Sequence, residues 1–445
     1  MKTKLNELGM AELARKISTR EISAEAVMTD CLDRVQQREI DVGAFNDIDE
    51  EAALESARRA DRKEITGALH GIPFAAKDII DTERFTTEWG TEFYKGYSAG
   101  RNASCVELFL QAGAILVGKT VTTEFAYFKP GKTANPNKLE HTPGGSSSGS
   151  AAAVADCMLP FAFGSQTAAS LIRPAAYCGI PGYKASHGSF DLQGIMSLSP
   201  SLDTLGFLAR QIEDFELARS VLCKSQPADA IDHENRPLRI SLFRGPHWNE
   251  GSMEMRDVCQ RAMKQLSNAG AVTGELACPE SFLELTEHQK TVMAFEVARS
   301  RVYEYNHYRD EISPQFRDLF ETGLEVSRAD YVDGCLARDR ANRILQTMFL
   351  EADVILTPAA PGEAPAGLGA TGDPLFSRAW NLLQVPCISV PFGQGPNGLP
   401  LSVQLVGAIN QDDKLLAAAQ WIEGQLRVGV MNNVDEQHNS AGLNL

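Results

Sequence analysis

The residues best suited to chemistry are one lysine and two runs rich in serine. A serine hydroxyl is a weak nucleophile at neutral pH, so an enzyme built on one must supply a base within hydrogen-bond reach and donors where negative charge develops. Lys77 ends the strand-like run GIPFAAKD, where Ile72, Phe74, Ile79 and Ile80 would bury it and disfavour its charged form. A neutral lysine can act as a base, and the alternative is a lysine that snorkels to the surface and pairs with Asp78. The run TPGGSSSGSAAAVAD gathers hydroxyls on a glycine turn ahead of an Ala-rich helix, whose amides and dipole favour negative charge, or it is a Ser-capped loop. In FGSQTAASLIRPAAYCGIPGYK, the small residues before Ser170 expose backbone N–H groups or serve close packing, and Pro174 is expected to end regular structure.

Two other motifs match patterns but not their physics. Gly113 to Thr120, GAILVGKT, spells a phosphate loop, yet Ala114, Ile115, Leu116 and Val117 read as a buried strand rather than a loop that can curl round an anion. Gly145 to Gly149, GSSSG, spells a nucleophile elbow centred on Ser147, but that elbow follows a strand and NPNKLEHTPG cannot be one. The eight histidines offer no partner motif.

The elements that must position these residues alternate between helix and strand. Two amphipathic helices open the chain, with Val27, Cys31, Leu32 and Val35 at helical spacing, and give way near Leu69 to HGIPFAAKDII. A short helix is expected over Ala151 to Asp156 and a strand over Pro160 to Phe163. Residues 279–351 read as helical and charged before strands return at DVILTP and GLPLSVQLVG. Neither a repeat nor a long linker divides the chain, which predicts one domain over 1–445 with its core at about 5–425 and a helical, substrate-shaping segment at 279–351.

Composition narrows the classes. The chain has 445 residues, 43% apolar and 22% charged, a globular profile, and no signal peptide is read at its start. A formal charge of −16 without a Lys/Arg cluster should repel nucleic acid and anionic membranes. The Ala-rich stretch Ala151 to Ile172 is interrupted by Asp156, Pro160 and Gln166, so no transmembrane helix is expected. Nine cysteines with no CxxC pair suit reduced thiols in a cytoplasm, and Cys178 reads as a buried small hydrophobe.

The ordered set GIPFAAKD, GKTVTTEFA, TPGGSSSGSAAAVA, QTAASLIRPAAYCGIPGYK, SLDTLG, LTPAAP and GLPLSVQLVG resembles the amidase signature family from end to end. The resemblance implies an α/β fold with a large mixed β-sheet covered on both faces by helices. It implies Lys77 as general base, Ser146 as bridging serine on a cis peptide and Ser170 as nucleophile, with the amides of Thr167, Ala168, Ala169 and Ser170 as oxyanion hole. It implies no metal or organic cofactor, a small amide as substrate, and is compatible with a homodimer. The chain departs from the Asp-Thr-Gly-Gly-Ser of many members at Gln166, Ala168 and Ala169, carries Ser148 for a common glycine, and has its arginine at Arg173. A positive φ at Ala169 would strain the alanine by roughly 1 kcal/mol and narrow the oxyanion loop.

Within that family the expected function is a stand-alone amidase acting on a small or medium neutral carboxamide. The alternatives are a ureido-amide hydrolase, whose anionic substrate would call on Arg299, Arg301 or Lys129, the component of a glutamyl-tRNA amidotransferase that delivers ammonia to its partner, and a binding protein crippled at Ala169. The substrate pockets are expected from the loop Glu124 to His141 and the segment Met293 to Tyr308.

Overall fold

The computed structural model describes residues 4–64, 66–224 and 236–441, and for 428–441 the backbone alone. The two ends of the expected 1–445 domain therefore lie outside the described residues. Eleven strands form one mixed sheet: β1 Phe45–Ile48, β2 Pro73–Lys77, β3 Ile115–Thr120, β4 Phe161–Gln166, β5 Gly182–Lys184, β6 Thr204–Ala209, β7 Arg239–Phe243, β8 Val272–Leu276, β9 Val354–Pro358, β10 Cys387–Gln394 and β11 Pro400–Val406. Their order is β1-β3-β2-β4-β6-β5-β10-β11-β9-β7-β8, and helices flank the sheet on both faces. The fold expected from the family resemblance is the fold observed.

Hydrophobic sequence explains the centre of the sheet. PFAAK, ILVGKT, FAFGSQ and TLGFLA are buried at every position, as strands covered on both faces must be. β2 runs parallel to both β3 and β4, with Lys77 opposite Thr120 and Ala76 opposite Phe163. Parallel pairing places the carboxyl ends of β2 and β4 side by side, the edge where α/β sheets commonly form sites.

Several boundaries differ from expectation for tertiary reasons. β4 runs on through Gly164, Ser165 and Gln166 because β6 pairs with it along its whole length, from Phe161–Ala209 to Gln166–Thr204. The helix after the serine run starts at Ser148 rather than Ala151. There Ser150 bonds the Thr120 hydroxyl and the Phe163 carbonyl, and a Cβ on Gly149 would lie 2.4 Å from the Val121 nitrogen, so packing overrides weak helix propensity. Pro174 does not end regular structure, for it sits in the first turn of the helix Ile172–Cys178, where a missing N–H is tolerated. A strand, β1, and a third helix, Glu50–Asp61, also precede Leu69. The segment 279–351 is helical as expected, in Leu285–Ser300, Val302–Tyr308, Pro314–Glu325 and Arg328–Glu351.

Both misleading motifs fall into structural roles. Lys119 of GAILVGKT is fully buried on β3, where it pairs with Asp78 at 3.1 Å and donates to the Thr87 hydroxyl and the Thr86 carbonyl. Ser147 bonds the backbone of Ser165 in β4 and follows no strand. Cys178 is buried, and its burial pushes the thiol pKa up. No helix among the described residues is long and apolar enough to cross a membrane.

Breaking the buried pair with Lys119→Ala is expected to cost about 3–5 kcal/mol, because Asp78 is left without its cation. Urea denaturation measures this, and a rise of the wild-type thermal midpoint with millimolar ATP would instead restore the phosphate-loop reading.

Candidate active site

Lys77 is the last residue of β2 and is 0% exposed. Asp78, which could have been its partner, is taken by Lys119, so Lys77 has hydroxyls and no carboxylate around it. Its Nζ lies 2.6 Å from Ser146 Oγ and 2.9 Å from Ser165 Oγ. An ammonium carries three N–H groups, and only these two acceptors meet it among the described residues, so geometry and burial both favour the neutral amine. Burial lowers the Lys77 pKa from 10.5 to about 7, against a smaller opposing effect of Asp203.

Ser146 follows a cis peptide, Gly145–Ser146, on the loop before the helix Ser148–Ala155. Gly144 ahead of it has φ +83, and a Cβ there would lie 2.8 Å from Pro174 Cα, so glycine is required. Ser170 sits between the end of β4 and the helix Ile172–Cys178, and its carbonyl accepts from the Ser147 amide at 3.3 Å. Arg173 ties the same loops from below, donating from Nη2 to the Gly145 carbonyl at 2.7 Å and to Thr371 Oγ1 at 3.1 Å.

The loop from Gln166 to Ser170 is anchored by three side-chain amides and one acid, Asp203. Gln166 Oε1 accepts from the amides of Leu171 and Ile172 at 3.0 and 3.1 Å, capping the helix with no negative charge. The Thr167 carbonyl accepts from Asn381 and Gln289, and its hydroxyl donates to Asp203 at 2.6 Å. Asp203 is itself raised to about 6 by burial, against hydrogen bonds from Thr167, Ser197 and the amides of Ser199 and Leu198. The amides of Ala168, Ala169 and Ser170 meet no protein acceptor among the described residues. Ala169 does not lie in the left-handed region, so the strain expected there does not arise, and its methyl is packed at 1% exposure.

These pieces line one narrow cavity of about 20 Å³, together with Tyr127: Ser146, Thr167, Ala168, Ala169 and Ser170 all border it. The expected loop contributes Ala126 to Phe128, entering through Phe125 and Ala126 at φ 48 and 58, a left-handed conformation uncommon outside glycine. Of the segment Met293 to Tyr308 only Met293 reaches the cavity. The three cations expected for an anion are elsewhere: Lys129 pairs with Glu124, Arg301 with Glu304, and Arg299 lies over the Phe295 ring. Arg173 and Arg378 line the cavity instead.

A family model for amidases matches residues 26–416. The chain belongs to the amidase signature family. Among solved structures it is similar to an amidase at 27% identity and TM-score 0.86, covering 94% of this chain and 100% of that one. It also resembles the native peptide amidase of Stenotrophomonas maltophilia, at 25% identity and TM-score 0.79 over 95% of this chain and 97% of that one. A curated relative, a component of the glutamyl-tRNA(Gln) amidotransferase of Carboxydothermus hydrogenoformans, is 30% identical over 473 residues, spanning 94% of this chain and 96% of the relative.

Ser165, Asp203 and Arg378 were not singled out from sequence as site residues. Ser165 was detectable as a hydroxyl inside the buried run FAFGSQ, and Arg378 as a cation among Phe376, Trp380 and Leu382. Because the folded Lys77 titrates below its unfolded value, the folded state binds fewer protons between about pH 7 and 10.5, and the lysine costs stability most at and below pH 7. Lys77→Met is therefore expected to raise unfolding free energy by about 2 kcal/mol at pH 7, the lost hydrogen bonds offsetting part of the relief. The gain should vanish as pH approaches 10.5 in a series of denaturant melts, and a variant less stable at every pH would contradict the burial argument.

Proposed function

We propose that the chain is a serine amidase that cleaves a small carboxamide to carboxylate and ammonia or amine through Lys77, Ser146 and Ser170. The observation that carries this is the 2.6 Å contact between Ser146 Oγ and a lysine amine held near neutrality. A neutral Lys77 donates one N–H to Ser165 and offers its lone pair to the Ser146 O–H. Ser170 Oγ attacks the amide carbon as its proton passes to Ser146 and that of Ser146 to Lys77. The oxygen that becomes negative meets amides of the Thr167 to Ser170 loop, of which those of Ala168, Ala169 and Ser170 are free, a device worth ~3–4 kcal/mol of barrier per donor in other enzymes. The tetrahedral adduct collapses as the proton returns through Ser146 to the leaving nitrogen, and water, activated by the same relay, then frees the acid and Ser170. The continuous sheet supports reading residues 5–425 as one domain, to whose cavity the segment 279–351 contributes Met293.

The curated relatives favour a second reading, in which the same relay releases ammonia from glutamine for a partner protein. The neutral Gln166 and the methyls of Ala168 and Ala169, where many members carry Asp-Thr-Gly-Gly, count against it. Release of glutamate from glutamine only when a partner protein is added would favour this second reading over the first.

A fluorophosphonate should label Ser170, and Ser170→Ala should abolish both labelling and amide hydrolysis, as peptide mass mapping and ammonia release will show. Lys77→Ala and Ser146→Ala should each lower kcat by orders of magnitude with a double variant no worse than the poorer single, since the relay acts as a unit. Near wild-type turnover in Lys77→Ala would exclude the mechanism. In wild type, kcat/KM should rise with pH to a plateau governed by a pKa of about 7, and a profile that falls through this range would contradict a neutral lysine base.

A further inference from the structure

Two arginines face the cavity without a counter-ion. Arg378, on the helix Leu375–Leu382, is 6% exposed and donates from Nη1 to Gln289 Oε1. Its Nε and Nη2 have no protein acceptor among the described residues, and unlike Arg173 Nε they are not sealed from the cavity. Arg173, 4% exposed, donates only to neutral oxygens, those of Gly372, Gly145 and Thr371. The nearest carboxylates act on the pair through space alone: Asp373 is exposed and caps the Leu375 amide, and Glu287 is exposed and paired with Lys290.

Buried guanidinium groups are ordinarily matched by carboxylates, because desolvation of an unpaired charge is costly. Here two repel each other while lining the same cavity as the free amides. The missing charge is best supplied by what enters the cavity. Nη1 of Arg378 being occupied, the edge left open is formed by Nε and Nη2, two parallel donors that match the two oxygens of a carboxylate. The cavity is narrow, about 20 Å³, which favours a small molecule over a long one.

We propose that the substrate is a small amide bearing a carboxylate, which the open edge of Arg378 receives while Arg173 adds positive potential behind it. This rests on the reading of Ser170 as the amide-cleaving nucleophile. A neutral amide of the same shape binds without the ion pair and leaves both cations unmatched, so selectivity comes from the carboxylate. Arg378 contacts the substrate and Arg173 also positions the Gly145–Ser146 loop, which makes Arg378 the cleaner site to vary.

The test compares malonamate, succinamate and glutaramate with their neutral counterparts propionamide, butyramide and valeramide, all releasing ammonia, with fluorophosphonate labelling of Ser170 run in parallel. In wild type the best carboxylated amide should exceed its neutral counterpart in kcat/KM by about 100-fold, as charge-assisted paired hydrogen bonds imply. Arg378→Leu should collapse that ratio, and Arg378→Lys should restore part of it. Wild-type protection of Ser170 from the fluorophosphonate should likewise be stronger with the carboxylated member of the pair, a readout that needs no folded variant. Labelled Ser170 with neutral amides used or bound as well as carboxylated ones, or a ratio unmoved in folded Arg378→Leu, overturns the inference and leaves the amidase reading standing. Absence of labelling together with absence of ammonia release from every amide overturns the amidase reading, and the inference with it.

Discussion

The site depends on a lysine amine that has been taken out of water and given hydroxyls instead of a carboxylate. A charged Lys77 would lose hydration that two serine oxygens cannot replace, and this imbalance turns an ordinary cation into a base near neutrality. The neighbouring residue makes the arrangement possible. Asp78 would hold Lys77 protonated if the two were paired, and it is held away by Lys119 of the adjacent strand. The buried Lys119–Asp78 pair thus serves the chemistry indirectly, by removing the one adjacent acid from competition.

Side-chain amides likewise do most of the anchoring of the loop that follows β4, the exception being the bond from Thr167 to Asp203. Gln166 caps the helix Ile172–Cys178 through a neutral oxygen, and Asn381 and Gln289 hold the Thr167 carbonyl. Asp203, the acid closest in effect to Lys77, is surrounded by donors that commit its oxygens to hydroxyls and amides. What remains unbalanced is positive, on Arg173 and Arg378, at the place where a negative charge would arrive or develop. Stability and reactivity are therefore opposed at Lys77, where the buried amine destabilises the fold, and aligned at Thr167, where anchoring the loop keeps its amides aimed.

Much of this was legible in the chain because the decisive elements are local. Continuous apolar runs marked β2, β3 and β4 as strands, and the apolar neighbours of Lys77 made its burial one of two readings, the other being a pair with Asp78 at the surface. The rejection of GAILVGKT as a phosphate loop followed from the same argument. The rest depended on contacts between distant segments. Whether Lys77 or Lys119 takes Asp78 is decided by the β2–β3 register, and the extension of β4 through Ser165 is decided by β6. Arg378 lies more than two hundred residues from Ser170, and its apolar neighbours Phe376, Trp380 and Leu382 signal burial but not that it reaches the same cavity, so sequence favoured Arg299, Arg301 or Lys129 instead. Concern over Ala169 rested on a backbone angle that sequence cannot supply, and the observed conformation suits an alanine.

The central claim is that Lys77 is a neutral amine at the pH of catalysis, and its own titration tests that most directly. In protein labelled with ¹³C and ¹⁵N at lysine, the Lys77 side-chain signals can be assigned by their loss in Lys77→Met and followed from pH 5 to pH 11. The account expects a midpoint at about 7, well apart from the exposed lysines. A Lys77 signal that titrates with those exposed lysines, near 10.5, would contradict it.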